Sequence, residues 1–87
     1  MVIVMDKILV LVYIPSIEEE YEVYIPINKK IGTIKKVIID AIIELSDGNI
    51  KSDEKFQLYD KDITGIYNNN LLVKDSGIKN GSKLVLM

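Results

Sequence analysis

The chain has 87 residues, of which 48% are apolar and 28% are charged, the balance of an ordinary globular protein. Its 11 basic and 13 acidic residues give a net charge of −2, spread along the chain, so we expect no binding of nucleic acid. The sequence lacks cysteine and histidine, which excludes disulfides, thiolate nucleophiles and the commonest catalytic base and metal ligand. We therefore predict one domain over residues 1–87 that is not an enzyme, with no catalytic residues, cofactor or metal.

Targeting signals are missing from the apolar segments of the chain. Residues 1–5 lack the basic region and small-residue cleavage site of a secretory signal. The apolar run over residues 8–14 is far shorter than the roughly 20 residues that span a membrane. We expect a cytoplasmic protein that does not insert directly into a membrane.

Two strands are predicted in the first third of the chain. Residues 7–14 are rich in β-branched side chains and apolar on both faces, which is typical of a strand inside a sheet. Residues 15–20 concentrate turn formers and charge, and residues 21–25 then alternate between apolar and polar. This pattern predicts a β-hairpin.

A helix is predicted to follow Pro26, which cannot donate to a sheet ladder. Thr33 is its predicted N-cap, and Gly48 suits the left-handed position after its end. Apolar residues at three- and four-residue spacing predict the buried stripe, which comprises Ile34, Val37, Ile38, Ala41 and Leu45.

The last third of the chain predicts two further strands and a long turn. Residues 55–59 alternate, with Phe56 and Leu58 on one face. Residues 60–70 are rich in turn formers, with a short strand expected around 63–67. Residues 83–87 form the predicted final strand, which a tight turn at Gly81 precedes.

Two acidic segments resemble cation sites only superficially. Residues 18–20 are consecutive glutamates followed by Glu22, and adjacent carboxylates in a turn usually point apart into water. Asp60 and Asp62 have the spacing that begins a calcium loop, but Leu71 stands where the closing glutamate is needed. We interpret both segments as solvated turns.

The segment over residues 71–86 resembles the closing signature of ubiquitin-like domains. It contains an apolar stretch, Asp75, Ile78, a turn at Gly81 and then a strand. Val73 and Ile78 are expected to close the core, and the Asp75 carboxylate is expected to cap the short turn. Over nearly all of residues 7–87 the chain is similar to the ubiquitin-like β-grasp superfamily, and within it to the small YukD/EsaB proteins of Gram-positive type VII secretion systems.

This resemblance implies an α+β fold, a ubiquitin-like β-grasp with a mixed four- to five-stranded sheet and one helix packed across it. It also implies a non-conjugating protein-interaction module, an accessory of the secretion machinery whose components are its expected partners. Ubiquitin and the related sulfur carriers act through a Gly-Gly tail, because only glycine lets an activating enzyme approach closely. The sequence contains no Gly-Gly pair and ends in Val85-Leu86-Met87. A covalent modifier or sulfur carrier is therefore the disfavoured alternative.

A partner-binding surface is predicted on the sheet face that turns away from the helix. Burial of Phe56 and Leu58 on one strand, and of Leu84 and Leu86 on the last strand, turns the alternate residues of both strands outward. Contiguous exposed apolar groups on a small protein mark binding sites more often than scattered ones. The predicted partner-binding residues are Gln57, Tyr59, Val85 and Met87.

Two alternatives for this surface remain open at the level of sequence. Val85 and Met87 could be edge or terminal residues with no role, or be covered by residues 1–5. The protein could instead be a structural module that forms a homo-oligomer, because residues 2–5 have the composition of an extra strand that pairs with a second copy.

Overall fold

The computed structural model of the protein describes residues 7–48, 50, 55–62 and 64–87. The predicted pairing of residues 2–5, and Ile63 in the predicted short strand, lie outside them. The described residues form β1 (Lys7–Ile14), β2 (Glu19–Pro26), α1 (Ile31–Leu45), β3 (Leu58–Asp60), a 3₁₀ turn (Val73–Asp75) and β4 (Lys83–Leu86). Within this part of the chain, no helix has the length and apolarity that crossing a membrane requires.

The four strands form one mixed sheet in the order β2-β1-β4-β3. The central strands β1 and β4 run parallel, and each pairs antiparallel with an outer strand. Because β1 lies inside the sheet, it is apolar on both faces, as its sequence indicates. A mixed sheet with one helix confirms the predicted fold class.

The core lies between α1 and one face of the sheet. The helix contributes Ile31, Ile34, Ile38 and Ile42, whereas Val37 and Leu45 of the predicted stripe are 40% and 56% exposed. The prediction was wrong there because Val37 lies on a flank of the buried face, while Leu45 is the last residue of the helix and extends beyond the buried part. The sheet and the closing segment complete the core with Val10, Val12, Ile14, Val23, Ile25, Phe56, Leu58, Val73, Ile78, Leu84 and Leu86.

The helix begins two residues before the predicted cap, Thr33. Its first backbone N–H groups are satisfied by the loop that precedes the 3₁₀ turn, because Ile31 N–H donates to the Leu71 carbonyl (2.8 Å) and Gly32 N–H to the Asn69 carbonyl (3.0 Å). The side chain of the N-cap residue, Lys30, makes no capping hydrogen bond. The two carbonyls, which are distant in sequence, take the place of a side-chain cap.

The helix ends within the predicted stop, but the left-handed position directly after the C-cap, Ser46, is taken by Asp47 with a φ of 55°. Gly48 follows with a φ of 80° and donates its N–H to the Ile43 carbonyl at 3.1 Å.

The closing segment folds as its signature predicts, except at Asp75. Val73 and Ile78 are buried, but Asp75 is exposed. The Ser76 hydroxyl donates to the Val73 carbonyl (2.6 Å) and accepts from the Ile78 N–H (3.2 Å). A hydroxyl that both donates and accepts bridges the two main-chain groups of this turn, so Ser76 takes the role that was predicted for Asp75.

Replacing Gly81 with alanine is expected to destabilise the protein by about 1 kcal/mol, because a Cβ is strained in the left-handed region. Gly81 has a φ of 87° and donates its N–H to the Leu9 carbonyl at 2.7 Å, which ties the turn to β1. Gly65→Ala is the matched control, since Gly65 lacks a positive φ and open space surrounds the added methyl. Urea denaturation measures both variants, and an equal loss of stability would contradict this account of the turn.

Candidate protein-interaction surface

The outer face of the sheet, which turns away from α1, has an apolar centre at Val85. Val85 is 5% exposed, yet it is outside the core cluster that contains both of its neighbours in β4. Because successive side chains of a strand point to opposite faces, Val85 lies on the outer face. It stands opposite Tyr13 of β1 and Tyr59 of β3, so an aromatic residue flanks it on each side.

Apolar and aromatic residues continue from Val85 across the outer face and lie on all four strands or their continuations. Tyr13 is 38% exposed, Met87 40% and Tyr24 64%, while other members are half-buried. The register places them in adjacent positions, since Tyr24 lies opposite Leu9 and Tyr13 opposite Val85. We call this set the outer patch, and it consists of Leu9, Leu11, Tyr13, Tyr24, Tyr59, Val85 and Met87.

Three of the four predicted partner-binding residues lie in the outer patch. Tyr59 is half-buried and Met87 is exposed, as a contact surface requires. Val85 lies on the predicted face, but the expectation that it is exposed was wrong, because the strands on both sides carry tyrosines. It forms the floor of the patch, and the residues around it provide the accessible surface.

Gln57 lies outside the outer patch. Its backbone continues the sheet, because Gln57 N–H donates to the Met87 carbonyl (2.9 Å) and Met87 N–H donates to the Gln57 carbonyl (3.1 Å). Its side-chain oxygen accepts a hydrogen bond from Lys35 Nζ of α1 at 3.4 Å. Gln57 therefore lies opposite Met87 at the edge of the sheet, with its amide oxygen directed towards the helix, and its role in partner binding stays a prediction.

The sequence prediction missed four members of the patch, namely Leu9, Leu11, Tyr13 and Tyr24. A usable signal was present in β1, where burial of Val10 and Val12 leaves the intervening apolar residues on the outer face. Assigning them to one surface also requires the register of β1 against both neighbouring strands, which local patterning does not supply.

Charged residues border the outer patch with opposite signs on its two sides. Leu11 lies opposite Glu22 of β2 and opposite Lys83 of β4. Glu20 lies opposite Tyr13 in the adjacent row. The patch therefore has glutamates on its β2 side and a lysine on its β4 side. This charge arrangement favours one orientation of a docked partner.

A separate crevice of about 430 Å³ lies beside the turns that follow β3 and precede β4, and its lining includes Asp60, Tyr67 and Lys79. The Asp60 carboxylate accepts hydrogen bonds from the N–H groups of Asp62 (3.1 Å) and Thr64 (2.9 Å), which organise this turn. Burial, and secondarily the Asp60 carboxylate, raises the pKa of the Tyr67 phenol above its ordinary value. Among the described residues, no cluster of three or more acidic side chains suits a metal ion.

The strand order and the single packed helix define a ubiquitin-like β-grasp fold, whose open sheet face carries the outer patch. No protein-family model matches the chain, and no curated protein matches it in sequence. Solved structures, in contrast, are similar to it over nearly its whole length.

The ubiquitin-like domain of the type VII secretion protein EccD1 of Mycobacterium tuberculosis is similar with a TM-score of 0.73 and 13% identity, covering 95% of this chain and 99% of that one. The EccD5 ubiquitin-like domain of Mycobacterium xenopi gives a TM-score of 0.75 and 15% identity, with 93% and 92% covered. A ubiquitin-like domain of an Arabidopsis thaliana protein gives 0.67 and 23%, with 95% and 78% covered. These similarities confirm the predicted ubiquitin-like fold.

Proposed function

We propose that this protein is a non-conjugating ubiquitin-like module that binds a protein partner noncovalently through the outer patch. The observation that carries the proposal is the group of exposed side chains on the outer face, in which Tyr13 and Met87 lie beside the buried Val85 and Tyr24 lies further along the same face, opposite Leu9. Tyrosine and methionine are enriched where proteins bind one another, because they bury a large apolar area at a modest entropic cost.

The absence of a Gly-Gly pair among the 87 residues supports the noncovalent part of the proposal. Conjugating and sulfur-carrying relatives of ubiquitin act through such a pair, because only glycine lets an activating enzyme approach closely.

The proposal also includes a role for the protein in bacterial secretion. The likeness to the EccD1 and EccD5 ubiquitin-like domains, together with the YukD/EsaB resemblance of the closing segment, favours an accessory role in a bacterial type VII secretion system. The expected location is the cytoplasm, and the expected partner is a component of the secretion machinery.

Tyr24→Ala combined with Tyr13→Ala is expected to weaken partner binding by about thirtyfold or more, corresponding to the loss of one to two interface hot spots at about 2 kcal/mol each. The matched control is Leu45→Ala, because Leu45 is 56% exposed on the helix, across the core from the outer patch. Tagged wild-type and variant proteins are used to capture partners from the native cells, and each captured species is quantified by mass spectrometry.

Equal retention of the partner by the patch variant and the wild type would contradict the surface assignment, provided that both have the same circular dichroism spectrum. A parallel denaturing wash tests the mode of attachment. Partners lost in that wash support noncovalent binding, whereas a species that survives it would show that the protein is a covalent modifier. If only Leu45→Ala loses partner binding, the binding site lies on the helix and not on the outer patch.

A further inference from the structure

The crevice beside the turns that follow β3 and precede β4 collects positive charge in a protein whose net charge is −2. Its lining includes Lys61, Lys79 and Lys83, and all three are exposed. None of them forms an ion pair with another residue in the described ranges. Three such lysines around one crevice make it attractive to an anion.

Hydrogen bonds fix the two turns that form the walls of the crevice. In the turn before β4, Lys79 N–H donates to the Ser82 hydroxyl oxygen and Ser82 N–H donates to the Lys79 carbonyl, both at 2.9 Å. In the turn after β3, the Asp60 carboxylate accepts from the N–H of Asp62 and from the N–H and hydroxyl of Thr64. Walls that are ordered before a ligand arrives lower the entropic cost of binding it.

Two hydroxyl groups add to the hydrogen-bond donors of the crevice. The Ser82 hydroxyl accepts the Lys79 N–H, so its own proton is available to a ligand oxygen. Tyr67 is half-buried in the lining, and burial, followed by the Asp60 carboxylate, raises the pKa of its phenol, which therefore remains a donor at neutral pH. Lysines and hydroxyls together suit a phosphate group, which has several acceptor oxygens and roughly two negative charges at neutral pH.

Asp62 provides the crevice with an acceptor. Its carboxylate is exposed, so it repels a bare phosphate but accepts hydrogen bonds from the hydroxyl groups of a sugar. The volume of about 430 Å³ is that of a small-molecule site and exceeds what one phosphate ion fills. Among the described residues, the lining contains no aliphatic side chain, which disfavours a peptide that is anchored by apolar groups.

We propose that this crevice binds a small phosphorylated sugar. The phosphate lies among the three lysines, the sugar hydroxyls donate to Asp62, and the phenol of Tyr67 donates to a sugar oxygen. Lys83 also borders the outer patch, where it lies opposite Leu11, whereas Lys61, Asp62 and Tyr67 are not members of that patch. Binding of a sugar phosphate therefore does not depend on the proposed function.

Titration of glucose 6-phosphate and of ribose 5-phosphate into isotope-labelled protein, followed by amide NMR, tests the proposal. At least one of the two is expected to give saturable shifts in residues 60–62 and 79–83. The matched probes are glucose, ribose and inorganic phosphate. Each should bind at least about tenfold more weakly than the sugar phosphate, because it lacks one of the two groups that the crevice recognises.

Lys61→Gln combined with Lys79→Gln is expected to weaken sugar phosphate binding by at least about tenfold, because two charge-assisted hydrogen bonds are lost. The matched control is Lys36→Gln combined with Lys74→Gln, which changes the net charge equally at exposed positions outside the crevice. This control should bind within about twofold of the wild type. Asp62→Ala should tighten binding of inorganic phosphate and reduce the advantage of the sugar phosphate over it.

The proposal fails if neither sugar phosphate saturates the protein at about 10 mM, or if inorganic phosphate binds as tightly as both. Equal losses in the two lysine pairs would show a general effect of net charge and would exclude the crevice as the site. A blocked phosphoserine peptide that binds the crevice more tightly than either sugar phosphate would assign it to a phosphorylated protein instead. None of these outcomes alters the test of the outer patch, which is measured separately by capture of a protein partner.

Discussion

Replacing Val85 with aspartate is expected to destabilise the protein by about 3–5 kcal/mol, because a carboxylate buried without a partner loses its hydration. Val85 is 5% exposed and lies between Tyr13 and Tyr59, whose phenol side chains offer no positive charge to a carboxylate. Met87→Asp places the same group at a position on the same face that is 40% exposed, where it should cost at most about 1 kcal/mol. The midpoint of urea denaturation measures both variants.

Equal midpoints for these two variants would contradict the assignment of Val85 as the floor of the patch. The expected difference also determines which residues suit a binding assay. A loss of partner binding in Val85→Asp would report unfolding, whereas Tyr13 and Tyr24 reach the surface and report on contact.

Replacing Ile38 with alanine is expected to cost about 3–4 kcal/mol, the sum of lost apolar burial and the cavity left behind. Ile38 is fully buried in the core cluster, near the middle of α1. Val37→Ala on the same helix should cost less than about 1 kcal/mol, because Val37 is 40% exposed. Thermal and urea denaturation compare the pair.

A larger loss in Val37→Ala than in Ile38→Ala would mean that α1 is rotated relative to the described core. The two residues therefore test the orientation of the helix that the sequence alone left ambiguous.

Strand patterning predicted most of the sheet, because alternation is a local property that each segment carries. The apolar run from Lys7 to Ile14 and the closing strand lie where their sequences place them. The helix stripe was harder to predict, since isoleucine or valine occupies several adjacent positions of α1 and either flank satisfies the spacing. Only packing against the sheet selects Ile31, Ile34, Ile38 and Ile42 as the buried set.

The features that sequence did not predict depend on groups far apart in the chain. The helix begins at Ile31 because carbonyls of Asn69 and Leu71 accept its first N–H groups, and no local motif encodes that contact. The depth of Val85 likewise depends on tyrosines in two other strands. Alternation gave the correct face for Val85, but its exposure follows from strand order and register.

The central claim is that a protein partner binds the outer patch, and amide NMR of the labelled protein tests it most directly. The partner identified by native capture is titrated into the protein, and the shifted residues are mapped on the sheet. The account predicts shifts centred on Tyr13, Val85 and Tyr59, with smaller ones at Glu22 and Lys83 on the border. Shifts confined to α1 or to the crevice beside Tyr67, with the outer patch unchanged, would contradict it.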